Sequence, residues 1–245
     1  MSRLRIELKV FGESLAVEGP APADQVTIAD LLPFFRAVDD AVIDRAVRQV
    51  EAGGKRVSCA KGCSACCRAQ PVPVTPPEAY ALLRLVEAMP ADRQAEVRAA
   101  FADRVRRLRD AGLFDTFMAR DPGLTRESAR TTADAYFRLG LVCPFLVDDA
   151  CGIYRDRPFV CRQYLVTTPA SLCTDPLHNP VEPVPMPVRF AHAALETAEA
   201  LNGTPQHTVP LVLALDYAEA HRDELERRFD GPDVFGRFMN ALAAG

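Results

Sequence analysis

"IADLLPFFRAVDDAVIDRAVRQVEAGG", residues 28–54, carries apolar side chains at Ile28, Leu31, Phe35, Val38, Val42, Ala46 and Val50. Spacings of three and four place them on one face of a helix, and Gly53-Gly54 ends the run. Pro33 removes a backbone donor inside this pattern, which predicts a kink or a restart. Upstream the period is two. Leu4, Ile6, Leu8 and Val10 alternate with Arg5, Glu7 and Lys9, the chain passes Gly12, and alternation resumes at Leu15 and Val17. That pattern predicts a β-hairpin.

Downstream, Pro76 and Pro77 stand where a helix begins and predict one running to Met89. Another starts after Pro90, with Val97, Phe101, Val105 and Leu108 as its apolar stripe and Gly112 as its stop. A further helix is expected over 125–139. Between Cys143 and Pro187 prolines are too frequent for long elements, leaving one short helix from Pro158 to about Tyr164, with Asp156 as a candidate cap. Helices are expected again at 188–202, 210–229 and 233–243; in the middle one Leu211, Leu215, Ala218, Leu225 and Phe229 share a face. No repeat and no strand–helix alternation is visible. The expected fold is mainly α with a small N-terminal β-hairpin. It is a single helical domain over 1–245, with an irregular cysteine-rich metal-binding region at 57–173 and a helical C-terminal part at 188–243.

With 245 residues, 49% of them hydrophobic, the chain can bury a core without covalent or metal staples. It has no apolar run of membrane-spanning length, and its first residues, MSRLRIELKV, carry charges where a signal peptide needs an apolar stretch. A cytoplasmic protein is expected, and no membrane partner. A net charge of -4 supplies no field for nucleic acid. Arg104, Arg106, Arg107 and Arg109 interleave with Asp92, Glu96, Asp103 and Asp110, as on a solvated helix face.

All eight cysteines lie between residues 59 and 173. Cys59, Cys63, Cys66 and Cys67 form one group, in "CAKGCSACC"; Cys143, Cys151, Cys161 and Cys173 form the other. In a reducing compartment such density points to metal or redox chemistry instead of disulfides. Thiolates are soft donors that select zinc and iron–sulfur clusters. Gly62 permits a sharp turn, and Cys63 and Cys66 have chelating spacing. Adjacent Cys66 and Cys67 are awkward for one mononuclear centre, since neighbouring side chains tend to diverge. Closing the loop of roughly 75 residues between the groups costs little more than closing a short one, so all eight cysteines are candidate ligands of a shared site. An iron–sulfur cluster, [4Fe–4S] in first place, is favoured over Zn²⁺. Lys55, Arg56, Lys61, Arg68, Arg155, Arg157 and Arg162 are candidate charge partners. Cys161 gains from the first turn of its helix. Tyr154 and Tyr164 are candidate donors to sulfur or gates, and His178 is a candidate replacement ligand. No nucleophile–base set or phosphate loop is evident.

The spacing Cys59-x3-Cys63-x2-Cys66 is also that of radical S-adenosylmethionine enzymes, but Ala65 stands where those carry an aromatic and no barrel pattern follows. With both groups in view, "VSCAKGCSACCR" and "CPFLVDDACGIYRDRPFVCRQY" resemble the YkgJ-like cysteine-cluster family, a zinc- or iron-chelating domain named for its CxxCxxCC motif. The resemblance covers roughly residues 57–173. It implies Cys59, Cys63, Cys66, Cys67, Cys143, Cys151 and Cys161 as ligands, with Cys173 the least secure. This chain has three residues between its first two cysteines where the short motif has two, and Leu165 where a proline often stands. The family's "Fe-S oxidoreductase" label implies redox or electron transfer with an unidentified redox or protein partner. A zinc-stabilised interaction module is the alternative, and a protein lysine N-methylase-like enzyme a second, because flagellin lysine N-methylases share a similar cysteine domain.

Overall fold

Arg3–Val10 (β1) and Glu13–Pro20 (β2) pair antiparallel with Val10 opposite Glu13. Phe11 and Gly12 form the turn with φ of 51° and 80°, the doubly left-handed geometry whose twist matches that of the strands. The computed structural model describes residues 3–119 and 125–244. The hairpin's Ile6 and Val10 are buried against the first helix, α1 (Ile28–Ala52). At the start of α1 the Asp30 carboxylate accepts the Thr27 N–H at 2.9 Å, and Thr27 Oγ1 accepts the Asp30 N–H at 3.3 Å, a reciprocal cap. The helix runs through Pro33 without restarting; the ring lies early in the helix and forfeits a single backbone bond.

Among the described residues there follow α2 (Pro76–Glu87), α3 (Ala91–Asp110), α4 (Phe114–Met118), α5 (Arg126–Leu139), α6 (Phe159–Gln163), α7 (Phe190–Asn202), α8 (Ala214–Ala220), α9 (Arg222–Leu225) and α10 (Gly231–Ala244). Short strand pairs tie distant segments: β3 (Gln25–Val26) with β8 (Phe229–Asp230), β4 (Pro73–Val74) with β7 (Val209–Pro210), and β5 (Leu146–Val147) with β6 (Ala150–Cys151). No helix among the described residues is long and apolar enough to cross a membrane.

The expected single helix over 210–229 is instead β7, a 3₁₀ turn at Leu211–Leu213, α8, α9 and β8. Two extended pairings override the helical periodicity. The Leu211 N–H donates to Val72 O at 2.7 Å, and Val26 faces Phe229 across the other ladder. At the break between α8 and α9, His221 stacks on Tyr217 with centroids 4.2 Å apart.

The apolar faces gather into two clusters. One joins Leu82, Leu83 and Val86 of α2, Phe101 and Leu108 of α3 and Leu215 and Ala218 of α8 with Leu141, Phe145 and Ile153 of the cysteine region. The other joins Phe35, Val38 and Val42 of α1, Phe190 of α7 and Phe238 of α10 with Phe159. Each fully buried side chain of this size contributes about 1.5–3 kcal/mol. The cysteine region is anchored in both clusters, through Phe145 in one and Phe159 in the other.

Candidate metal centre

The first cysteine group rides on a loop and a single turn. The Cys63 N–H donates to Ala60 O at 3.0 Å, with Gly62 at φ 88° between them; this left-handed position is one that glycine takes without a Cβ penalty. A 3₁₀ turn, Cys66–Arg68, follows. The second group closes on the first through the backbone: the Cys143 N–H donates to Cys67 O at 2.7 Å. Cys151 pairs with Leu146 in the β5–β6 hairpin, whose turn residues Asp148 and Asp149 have φ of 47° and 58°. That turn clamps the first loop, because Asp149 accepts Ser64 Oγ at 2.8 Å and also pairs with Arg68.

Cys161 is carried by α6. The buried Glu78 fixes that helix: one carboxylate oxygen accepts the Phe159 N–H at 2.7 Å, while the other accepts the Thr75 N–H at 2.9 Å and hydroxyl at 2.7 Å. Phe159 is wholly buried, 5.4 Å from Phe190 and 6.3 Å from Phe238 between ring centroids.

Seven cysteines, Cys59, Cys63, Cys66, Cys67, Cys143, Cys151 and Cys161, line one cavity of about 510 Å³. Leu141, Phe145, Ile153, Leu211 and Val212 share its walls. Cys66 and Cys67, expected to diverge, both line it, and their thiols are close enough to couple. Cys173 lies off the cavity wall. It is buried, and its carbonyl accepts Gln70 Nε2 at 2.8 Å.

Every shift among these thiols is upward. Burial pushes Cys143 up to about 12, carries Cys161 well above its ordinary value, and raises Cys59, Cys151 and Cys173. Cys66 rises first through its bond with Cys67 and then through burial. Neighbouring thiols add to the rise at Cys143, Cys161 and Cys59, since adjacent thiolates repel; Arg157 opposes it at Cys59, Cys151 and Cys161. Burial thus favours the neutral thiol at these six positions, and a bound metal reverses that balance by taking thiolates as ligands. The donors are all sulfur and the walls apolar, which fits zinc or iron. Among the described residues no three His, Cys, Asp or Glu side chains are already drawn together as for a single ion.

The other candidates divide. His178 is exposed and meets Asp175 at 3.0 Å and Asp134 at 3.8 Å. Asp156 does not cap α6; it reaches Arg36 at 3.4 Å, and Glu78 takes the capping place. Arg104 donates to Val142 O, Arg106 pairs with Asp103, Arg107 donates to Leu139 O and Arg109 faces Asp216, the expected helix-face pairing plus two ties to the cysteine region. Lys55 pairs with Glu182 and Arg162 with Asp40.

Sequence reasoning passed over Glu78. Its signal was Thr75-x-x-Glu78, the spacing of a reciprocal helix cap. It also passed over the buried Arg36 and Asp39, which with the buried Arg162 and the half-buried Gln163 form a polar cluster. There Gln163 Nε2 donates to Asp39 Oδ1 at 2.9 Å, and burial pushes the Asp39 carboxyl up to about 8 against the pull of Arg162. Charged residues inside an amphipathic pattern give no sign of which are buried.

Residues 58–178 match the CxxCxxCC family model, described as "Putative zinc- or iron-chelating domain". No curated protein and no solved structure matches the chain. The matched span contains all eight cysteines, the Glu78 clamp and the Asp149 turn. Over residues 58–178, just under half of the chain, the sequence is thus similar to the CxxCxxCC family, and it is this stretch that carries the thiol cavity.

Proposed function

We propose that cysteines from both groups hold an iron–sulfur cluster in this cavity, and that the protein serves one-electron transfer to a protein partner in the cytoplasm. The observation that carries this reading is that seven thiols from two distant stretches surround one cavity of about 510 Å³. A structural zinc ion draws four ligands to about 2.3 Å and fills the space between them. Thiols arranged around a volume suit a polynuclear core better. When bound, a cluster supplies one-electron chemistry at a potential set by its charge, hydrogen bonds and exposure.

The chain's own residues govern those variables. Leu141, Phe145, Ile153, Leu211 and Val212 keep water from the walls. Tyr154, 61% exposed, stands at the cavity edge as a surface contact for a partner. Cys66, Cys67 and Cys143 come from the backbone junction of the two groups, and Cys161 comes on the clamped α6; we assign the ligands from among these and Cys59, Cys63 and Cys151.

The test is anaerobic reconstitution with iron and sulfide. Expected are stoichiometric iron and acid-labile sulfide, broad visible absorption, and bleaching by dithionite. Tight zinc uptake with no sulfide incorporation overturns the cluster and leaves the zinc-stabilised module.

A further inference from the structure

Seven basic residues flank the cysteines in sequence, and the fold commits several elsewhere: Lys55 to Glu182, Arg68 to Asp149, Arg162 to Asp40. Lys61 and Arg157 line the thiol cavity, and Lys61 is exposed on its loop. Arg157 is held differently. Its guanidinium carbon lies 3.9 Å from the centre of the Tyr154 ring, a cation–π contact in which a planar guanidinium can lie flat on the ring as a compact ammonium cannot. Its main chain is fixed because its carbonyl accepts Arg162 Nε at 3.0 Å. Its Nε is buried and has no hydrogen-bond partner among the described residues. Buried donors of charged groups are costly unless paired, and this side chain stands on the wall of the cavity that seven thiols line. It also forms the partition to a second cavity lined by Arg36, Asp40 and Asp156, which shares Cys59 and Tyr154 with the first.

Resting on the iron–sulfur reading above, we propose that Arg157 is the charge partner of the centre: its Nε–H donates to a sulfur of the cluster or of a ligating thiolate. Four thiolates on a [4Fe–4S]²⁺ core leave about two net negative charges, and reduction adds another. A fixed cation with a directed N–H favours the reduced state and raises the potential. Tyr154 sets the plane of the guanidinium, and the Arg162 contact sets its distance along the chain.

The test compares reduction potentials of anaerobically reconstituted wild type, Arg157→Gln, Arg157→Lys and Arg155→Gln in dithionite titrations followed by visible absorption. Far-UV circular dichroism and iron and sulfide content are checked first. Arg155 is exposed and lines only the second cavity, so its replacement removes the same charge without the contact. Arg157→Gln is expected to lower the one-electron reduction equilibrium at least about tenfold, which is about 59 mV. Arg157→Lys should fall between Gln and wild type, and Arg155→Gln should stay near wild type. Equal shifts for Arg155→Gln and Arg157→Gln, or a potential unchanged in both Arg157 variants, overturn the assignment while leaving the cluster in place. A wild type that takes up no iron and sulfide overturns both. If Arg157→Gln does not fold, the Arg157→Lys potential decides alone, a wild-type value overturning the proposal.

Discussion

The carboxylate of Glu78 reaches across 81 residues of chain to accept the backbone N–H of Phe159 at 2.7 Å. The same group closes the first turn of its own helix on Thr75. One buried side chain therefore sets both the start of α2 and the orientation of the short helix bearing Cys161. In Glu78→Gln a single carbonyl oxygen must serve donors that two oxygens now serve, and the amide faces an N–H it cannot accept. The expected loss is about 1–3 kcal/mol in urea unfolding, with reduced iron content at equal protein. Unchanged stability would show that the Phe159 contact carries no weight.

Phe159→Ala removes a wholly buried ring between Phe190 and Phe238. About 3–5 kcal/mol of stability is expected to go. Metal uptake should fall with it, since α6 loses its anchor. Full metal content in a folded variant would show that Cys161 is not needed at the centre.

Serine substitutions separate the cavity-lining cysteines from the one behind them. Cys66→Ser and Cys143→Ser are expected to lose most bound metal, and Cys173→Ser to keep it, measured as metal per chain by elemental analysis. The reverse order would move the centre to the Tyr164 side.

Gly62→Ala tests the turn. A Cβ there meets nothing within 4 Å, so the only penalty is backbone strain at φ 88°, on the order of 1–2 kcal/mol. Weaker metal binding by roughly tenfold, with little change in the unfolding midpoint of the metal-free protein, is expected if the loop is ordered mainly by its ligand.

Asp39 gives a pH signature. Its native carboxyl is pushed up to about 8 by burial, from an ordinary value of 3.8. Between those values the native state holds a proton that the unfolded state releases. Stability is therefore greatest at the acid end of that window and falls as pH rises through it, by up to about 1.4 kcal/mol per pH unit from this group. Asp39→Asn keeps an acceptor for Gln163 and should flatten the slope; an unchanged slope would place the titration elsewhere.

Much of this was legible in the chain. The three- and four-residue spacing of α1, the stripe of α3 and the alternation of the hairpin each report one buried face, and local pattern suffices for that. Both cysteine groups were visible because thiols have few other reasons to cluster. The region 210–229 misled because its apolar spacing fits a helix, whereas its two ends, Pro210 and Phe229, are claimed by strands from residues 73–74 and 25–26. A long-range pairing leaves no local trace. The same holds for Glu78 and Phe159, and for the placing of Cys66 and Cys67 on one cavity wall: each depends on a partner or a backbone path that periodicity does not encode.

The backbone bond from Cys143 to Cys67 joins segments made at different times. A ribosome adding about 5–20 residues per second releases the first thiol group some seconds before Cys143, and longer before Cys161. During that interval four thiols are in solution without the walls that later enclose them. The nascent chain is then most vulnerable to oxidation and to capture of stray soft metal ions. On the proposed reading the centre is completed only once α6 has docked on Glu78 and brought Cys161 to the cavity, so the first thiol group must stay reduced until then.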